Sequence, residues 1–219
     1  MKKVMFNLGQ YIIKYKTPKE IMNEINKTFD DRKNLQLKNA NRMLAGKIKN
    51  EFTLYDSYES DERTPCNYLS PQTHDWFLKI FKDYLDSLSA SKVGINLSFV
   101  WVNEMKSGEY NPVHYHSSAV SFTGLSSVMI LKLPKNLGKE YSPGPPGTTP
   151  TNGALEFISS STGQFCNFTL KPTLAEGDMY VFPYDLRHTV YPFNNNKEKR
   201  RTLAANADTF PIGIKSMLR

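Results

Sequence analysis

Cysteine is scarce in this chain of 219 residues: there are two, Cys66 and Cys166, far apart and with no Cys-x-x-Cys spacing. That excludes a disulfide framework and a zinc knuckle, and both read as reduced thiols. No apolar run approaches the ~18 residues of a membrane span, so a membrane protein is not expected. The opening "MKKVMFNLGQYIIKYKT" lacks the apolar stretch of a secretory signal, which places the protein in a cytoplasm. Charge is not balanced, with 28 Lys+Arg against 21 Asp+Glu and a formal net charge of +7. Such an excess favours encounters with anions, from small dicarboxylates to nucleic acid. Yet the only tight basic cluster is "KEKRR" at 197–201, no recognition helix or aromatic–basic interleaving is visible, and nucleic acid is not the expected partner.

What is present describes an ordinary soluble composition, 39% hydrophobic and 12% aromatic, in a chain of a length that all-β domains often reach as one unit. A single domain over 1–219 is expected, with 1–92 a supporting region of helix and strand and 93–210 the core. Thr17-Pro18 reads as a helix cap and first helical residue, and Ile21, Ile25 and Phe29 recur at helical spacing to about residue 32. Ser70-Pro71 opens a second helix, whose apolar stripe runs from Trp76 and Phe77 through Ile80, Phe81, Tyr84 and Leu85 to Leu88. The polar stretch 44–68 between them reads as a loop with at most one short strand.

From residue 93 the texture changes to short β-branched and aromatic runs divided by turn residues. Eight strands are expected, near "GINLSFVWVNEM", "PVHYH", "LSSVMILKLP", "GALEFIS", "FCNFTLKP", "DMYVFPYD", "HTVYPF" and "RTLAANADTF". The fold class is mainly β with flanking helices, a double-sheet jelly roll with both helices outside one sheet. The Pro/Gly-rich segment 134–153 is long for a hairpin connection and is either a functional cover or merely disordered.

Histidine is also rare, at four residues, and three fall in the β half. Residues two apart on a strand share a face, so His114 and His116 project together and Tyr115 points away. Two imidazoles on one face can share a metal, and a third must come from elsewhere. His74, in the second helix beside a charged residue, reads as a surface histidine; His188, in "FPYDLRHTVYPF" between two strands, is the better third ligand.

The stretch from Trp101 to Asn206, carried by "WVNEMKSGEYNPVHYH", "LSSVMILKLP", "KPTLAEGDMYVFPYDLRHTVYPF" and "RRTLAAN", resembles the Fe(II)- and 2-oxoglutarate-dependent oxygenase superfamily. It is most similar to the prolyl-hydroxylase-like branch of bacterial and phage proteins with a His-x-His motif. The resemblance implies a double-stranded β-helix, cupin-like, with Fe(II), 2-oxoglutarate and dioxygen as cofactor and co-substrates. It implies His114 as first ligand, His188 as distal ligand and Arg200, twelve positions on, as the anchor for the far carboxylate of 2-oxoglutarate. Arg201 is the alternative anchor. Arg200 is preferred because its strand face continues through Thr202, Ala204 and Asn206, small residues suited to a pocket. The common pattern has a carboxylate where this chain has His116, which implies a three-histidine site; Asp185 is the alternative source of a carboxylate. The tyrosine that many of these enzymes place against the same co-substrate carboxylate is matched by Ile130, leaving Lys132 or Thr202 as helpers for Arg200. "SAVSFTG" is an extra stretch expected at the pocket mouth, and Trp101 and Asn103 share a strand face that lines either the site or the core.

The function implied is hydroxylation of an unactivated C–H, with a tilt toward a prolyl or other peptide side chain, or a small molecule, in a host cytoplasm if the chain is phage-encoded. Two other readings stay open: a three-histidine, cupin-like dioxygenase that uses no 2-oxoglutarate, and a non-enzymatic jelly-roll binding module. The residues do not give the oligomeric state.

Overall fold

The computed structural model describes residues 3–7, 9–41, 46–58, 66–118, 121–140, 150–160 and 168–212. Within them the strands are β1 (Val4–Asn7), β2 (Tyr11–Lys16), β3 (Asn50–Asp56), β4 (Val93–Met105), β5 (Asn111–His114), β6 (Gly124–Lys132), β7 (Leu155–Ile158), β8 (Thr169–Leu170), β9 (Asp178–Pro183), β10 (Arg187–Val190) and β11 (Arg200–Pro211). The helices are α1 (Lys19–Asp30) and α2 (Pro71–Ser87). A seven-stranded sheet runs β1-β2-β9-β6-β11-β4-β3, and a four-stranded sheet runs β5-β10-β7-β8. All strand pairs are antiparallel. This is the jelly-roll architecture expected, with three strands the sequence reading did not locate.

Both helices lie against one face of the large sheet. Ile21, Ile25 and Phe29 of α1 and Phe77, Ile80, Phe81, Tyr84 and Leu85 of α2 form one core with Val100, Val102, Met129, Val181, Leu203 and Ala205. Each fully buried phenylalanine here contributes about 1.5–3 kcal/mol through the area it removes from water. Ser70 caps α2 by accepting from the Thr73 amide at 3.2 Å. At α1 the cap falls on Pro18 rather than Thr17 and makes no side-chain hydrogen bond, so that helix is held by its buried face. Between the sheets lies a second core of Ile12, Met105, Val128, Ile130, Phe157, Tyr180, Phe182 and Phe193.

Three departures from the sequence reading have physical causes. β2 buries both Ile12 and Ile13, because it is covered on both sides, so its pattern lacks the alternation of a half-exposed strand. It is tied to β9 by the buried Asp178, which pairs with Lys14 at 3.6 Å and with Lys16. The supposed loop 44–68 contains the seven-residue β3, which pairs with β4 through a bulge between Thr53 and Tyr55. "PVHYH" is strand only as far as His114. Of the long Pro/Gly segment, residues 141–149 lie outside those described; its flanks are joined by the Asn152 side-chain amide, which donates to the Leu137 carbonyl at 2.7 Å. Cys66 is buried, and Cys166 lies outside the described residues. No helix among the described residues is long and apolar enough to cross a membrane.

Candidate metal centre

β5 and β10 pair with His114 directly opposite His188, which brings two imidazoles together from residues far apart in sequence. His116 follows two residues beyond the end of β5, where its backbone amide donates to the Tyr184 carbonyl at 2.8 Å and fixes its direction. One nitrogen of each ring falls within 4.8 Å of the others. His116 Nε2 and His188 Nε2 are 3.3 Å apart, less than twice a metal–imidazole bond of about 2.1 Å, so one ion reaches both.

Tautomers follow from the neighbours. His114 Nδ1 lies 2.7 Å from the Pro112 carbonyl oxygen and His188 Nδ1 lies 3.0 Å from that of Leu186. A carbonyl only accepts, so in both rings Nδ1 carries the proton and Nε2 keeps its lone pair for a metal. Around His116, Nδ1 is 3.4 Å from the Asn206 side-chain nitrogen, and Ser126 Oγ donates to Asn206 Oδ1 at 2.8 Å. A metal on His116 Nε2 requires the proton on Nδ1. A half-turn of the Asn206 amide provides its acceptor, and the Ser126 hydroxyl, which donates or accepts, suits either orientation.

Burial also favours metal-ready rings. It lowers His114, and together with the nearby charges of His188 and His114 it holds His116 well below its ordinary value. His188 is pushed down to about 3 by burial and by His114. All three are therefore neutral near pH 7, and a divalent ion bound by them keeps its full charge toward anionic ligands. Asp185 does not join them: it is exposed and accepts from Gln10 Nε2 at 2.7 Å. His74 sits in α2 against Tyr55 and Asp75.

The two arginines separate cleanly along β11. Arg201 faces the helices, where it donates to Asn26 Oδ1 at 2.8 Å, to Asp30 Oδ1 at 2.7 Å and to Glu104 Oε2 at 2.7 Å. Arg200 faces the other way, in the row of Thr202, Ala204 and Asn206, and is 1% exposed. Its Nη1 reaches only the Met105 sulfur at 3.4 Å, and its Nε and Nη2 have no partner. Burial lowers it to about 10, so it stays charged at neutral pH. Of its proposed helpers, Lys132 is exposed, whereas Thr202 shares its face beside Ile130.

Next to the histidines opens a cleft of about 480 Å3 lined by Glu51, Asp56, Tyr58, Ser98, Phe99, Trp101, Asn111, His114, Tyr115, His116, Ser117, Ser118 and Asn206. Trp101 is thus a wall residue, its ring 5.9 Å from that of His116. Asn103, on the same strand face, is buried with its Oδ1 unpartnered. Tyr115 stands at the rim instead of turning away, because β5 has already ended. Residues 119–120 of "SAVSFTG" lie outside the described part, but Ser118 on its edge lines the cleft.

Sequence reasoning missed Glu51, Asp56, Tyr58, Ser98 and Phe99, and β-bulges explain two of them, Ser98 and Asp56. On β4 the register shifts opposite Asn206 and Ala207, so consecutive residues Ser98 and Phe99 both reach the cleft. On β3 the extra residue Leu54 reverses the alternation: Tyr55 packs on the helix side, and Asp56 joins Glu51 in the cleft.

Residues 99–206 match the family model described as putative 2OG-Fe(II) oxygenase. Just under half of the chain is therefore similar to that family. The oxygenase fold extends over nearly the whole chain in similar solved structures. A prolyl-4-hydroxylase of Pseudomonas putida is 11% identical with a TM-score of 0.54, over 90% of this chain and 91% of that one. The viral collagen prolyl hydroxylase of Paramecium bursaria Chlorella virus-1, solved as its 2OG complex, is 12% identical with a TM-score of 0.53, over 91% and 96%. A Trichoplax adhaerens prolyl hydroxylase, in complex with a hypoxia inducible factor oxygen degradation domain peptide fragment, is 12% identical with a TM-score of 0.54, over 92% and 84%. At these identities the likeness is one of fold. No curated protein sequence matches the chain.

Proposed function

We propose that the chain is an Fe(II)- and 2-oxoglutarate-dependent hydroxylase, with His114, His116 and His188 holding the iron and Arg200 holding the far carboxylate of 2-oxoglutarate. One observation carries the co-substrate: a guanidinium that is 1% exposed and has two unpartnered nitrogens, on the sheet face that also carries Asn206 beside His116. Burying such a charge is costly unless an anion completes it, and a carboxylate matches its fork. When bound, the iron supplies the oxidising chemistry: dioxygen places one oxygen atom in the hydroxyl of the product and the other in succinate, as 2-oxoglutarate loses carbon dioxide and provides two electrons. The protein's residues bind and orient. Pro112 and Leu186 carbonyls hold two of the rings, Asn206 and Ser126 hold the third, and Phe157 and Phe182 pack around His188 and exclude water. A peptide side chain is part of this reading because the Trichoplax adhaerens relative holds a peptide fragment.

The test is anaerobic addition of Fe(II) and then 2-oxoglutarate, followed by visible absorption for the charge-transfer band of a chelated 2-oxoacid. The wild type should show the band, His188→Ala should lose it with the iron, and Arg200→Met should keep iron but need far more co-substrate. His116, standing where a carboxylate is common, favours a second reading, a three-histidine dioxygenase without 2-oxoglutarate. Iron binding with no band in the wild type would select it.

A further inference from the structure

The cleft beside the histidines is acidic on a chain whose net charge is +7. Glu51 and Asp56 both line it, and no lysine or arginine is among the described residues that do. Glu51 is 3% exposed and its Oε1 has no hydrogen-bond partner. Its neighbour Glu109 differs: one oxygen accepts from the Lys49 amide at 3.3 Å and the other from the Lys106 amide at 2.8 Å. Burial and the Glu109 charge push the Glu51 carboxyl up to about 7. A buried carboxylate with an unused oxygen lacks a cation or a strong donor, and no described residue provides one.

The walls suit the same ligand. Phe99 and Trp101 lie 5.0 Å apart, centroid to centroid, at 32°, and present aromatic surface to the cleft. Aromatic faces attract cations and pack against methylene chains. Asp56 uses Oδ1 to accept from the Tyr58 amide at 3.0 Å, which fixes its position at the cleft wall.

We infer that the substrate presents a positively charged nitrogen, a protonated amine or a guanidinium on an aliphatic chain, to Glu51 and Asp56, with its methylenes along Phe99 and Trp101 and toward the histidines. This rests on the hydroxylase reading for the identity of the site, and it names the substrate as basic rather than prolyl. Glu51 and Arg200 divide the charges between them: the arginine takes the co-substrate's carboxylate, and the glutamate takes the substrate's cation.

The experiment uses the full chain with Trp76→Phe, which leaves Trp101 as its one tryptophan reporter, with and without anaerobic Fe(II) and 2-oxoglutarate. Fluorescence titrations compare Nα-acetyl-lysine amide with its norleucine isostere, Nα-acetyl-arginine amide with its citrulline isostere, N-acetyl-proline amide, and n-butylamine. At least one charged probe should bind about tenfold or more tightly than its neutral isostere and than the proline probe. Glu51→Gln should reduce that preference to within about twofold while leaving the charge-transfer band unchanged. Asp56→Asn should reduce it in part, and it reads the same property should Glu51→Gln fold poorly. A match between n-butylamine and the lysine probe supports recognition of the amine alone; a clear advantage for the lysine probe supports a peptide side chain. Neutral isosteres binding as well as the charged probes, or a preference that survives Glu51→Gln, would overturn the inference. A missing charge-transfer band with the charge preference intact would sink the hydroxylase reading and leave the cleft's preference standing.

Discussion

The two faces of the seven-stranded sheet treat charge in opposite ways. On the helix side, burial pushes Glu104 up, but hydrogen bonds from Lys199 at 2.8 Å and from Arg201 outweigh it and hold the carboxyl below its ordinary range. On the histidine side, Arg200 and Glu51 are as deeply buried and each keeps unpartnered atoms. The adjacent residues Arg200 and Arg201 differ only in which face they take. Partners on the helix side come from the chain itself and hold it together, whereas on the histidine side the proposed function assigns them to ligands. Unpartnered buried charge costs stability, and on the proposed function that cost falls at the site that ligands complete.

The sharpest way to break this contrast is Glu104→Ala, which takes the buried carboxylate from Arg201 and Lys199 and leaves Arg201 only Asn26 and the exposed Asp30. It should cost about 3 kcal/mol, or roughly 6–12 °C in Tm, measured by thermal unfolding, and leave co-substrate docking intact in the protein that stays folded. Arg200→Met should do the reverse: Tm unchanged or higher, with 2-oxoglutarate affinity down about a hundredfold or more in an anaerobic absorption titration. Glu51→Gln sharpens it through pH. The folded carboxyl titrates near 7 and an unperturbed one near 4.5, so between those values the fold holds more protons than the unfolded chain and stability falls as pH rises. The variant should match the wild type below pH 4.5 and exceed it by about 2 kcal/mol above pH 7, read from denaturant midpoints at both ends. Asn206→Leu should lower iron affinity about tenfold, seen in competition with a chelator, because it removes the partner of His116 Nδ1. The smallest effect belongs to Asp86→Ala: its pair with Lys82 is exposed on α2, and losing it should cost no more than about 0.5 kcal/mol.

Much of the scaffold was legible because its strands alternate or carry dense β-branched runs, and the α2 stripe is a plain helical repeat. The two histidines on "HYH" could be read as neighbours, although a carbonyl of the loop after β9, not a strand ladder, aims His116. The separation of Arg200 from Arg201 could be anticipated from alternation along β11. What hid was whatever alternation misrepresents. β2 is buried on both sides, and β3 is a polar edge strand whose pattern reverses at Leu54, so Glu51 and Asp56 looked like loop residues. The spacing of five between those acids matches neither strand nor helix, and only the bulge puts both on one side.

That bulge lies on an outermost strand of the sheet, with one ladder neighbour, β4. Removing Leu54 would restore regular pleating without exchanging faces: Thr53, Tyr55 and Asp56 would follow Trp101, Val100 and Phe99 in plain alternation, Tyr55 toward the helices and Asp56 toward the cleft. The bulge is thus a slack link, taking up one residue of chain length while the same side chains go on meeting an incoming substrate. A one-residue change of length on this edge strand therefore leaves the cleft wall as it is, a tolerance that counting residues along the chain would overlook.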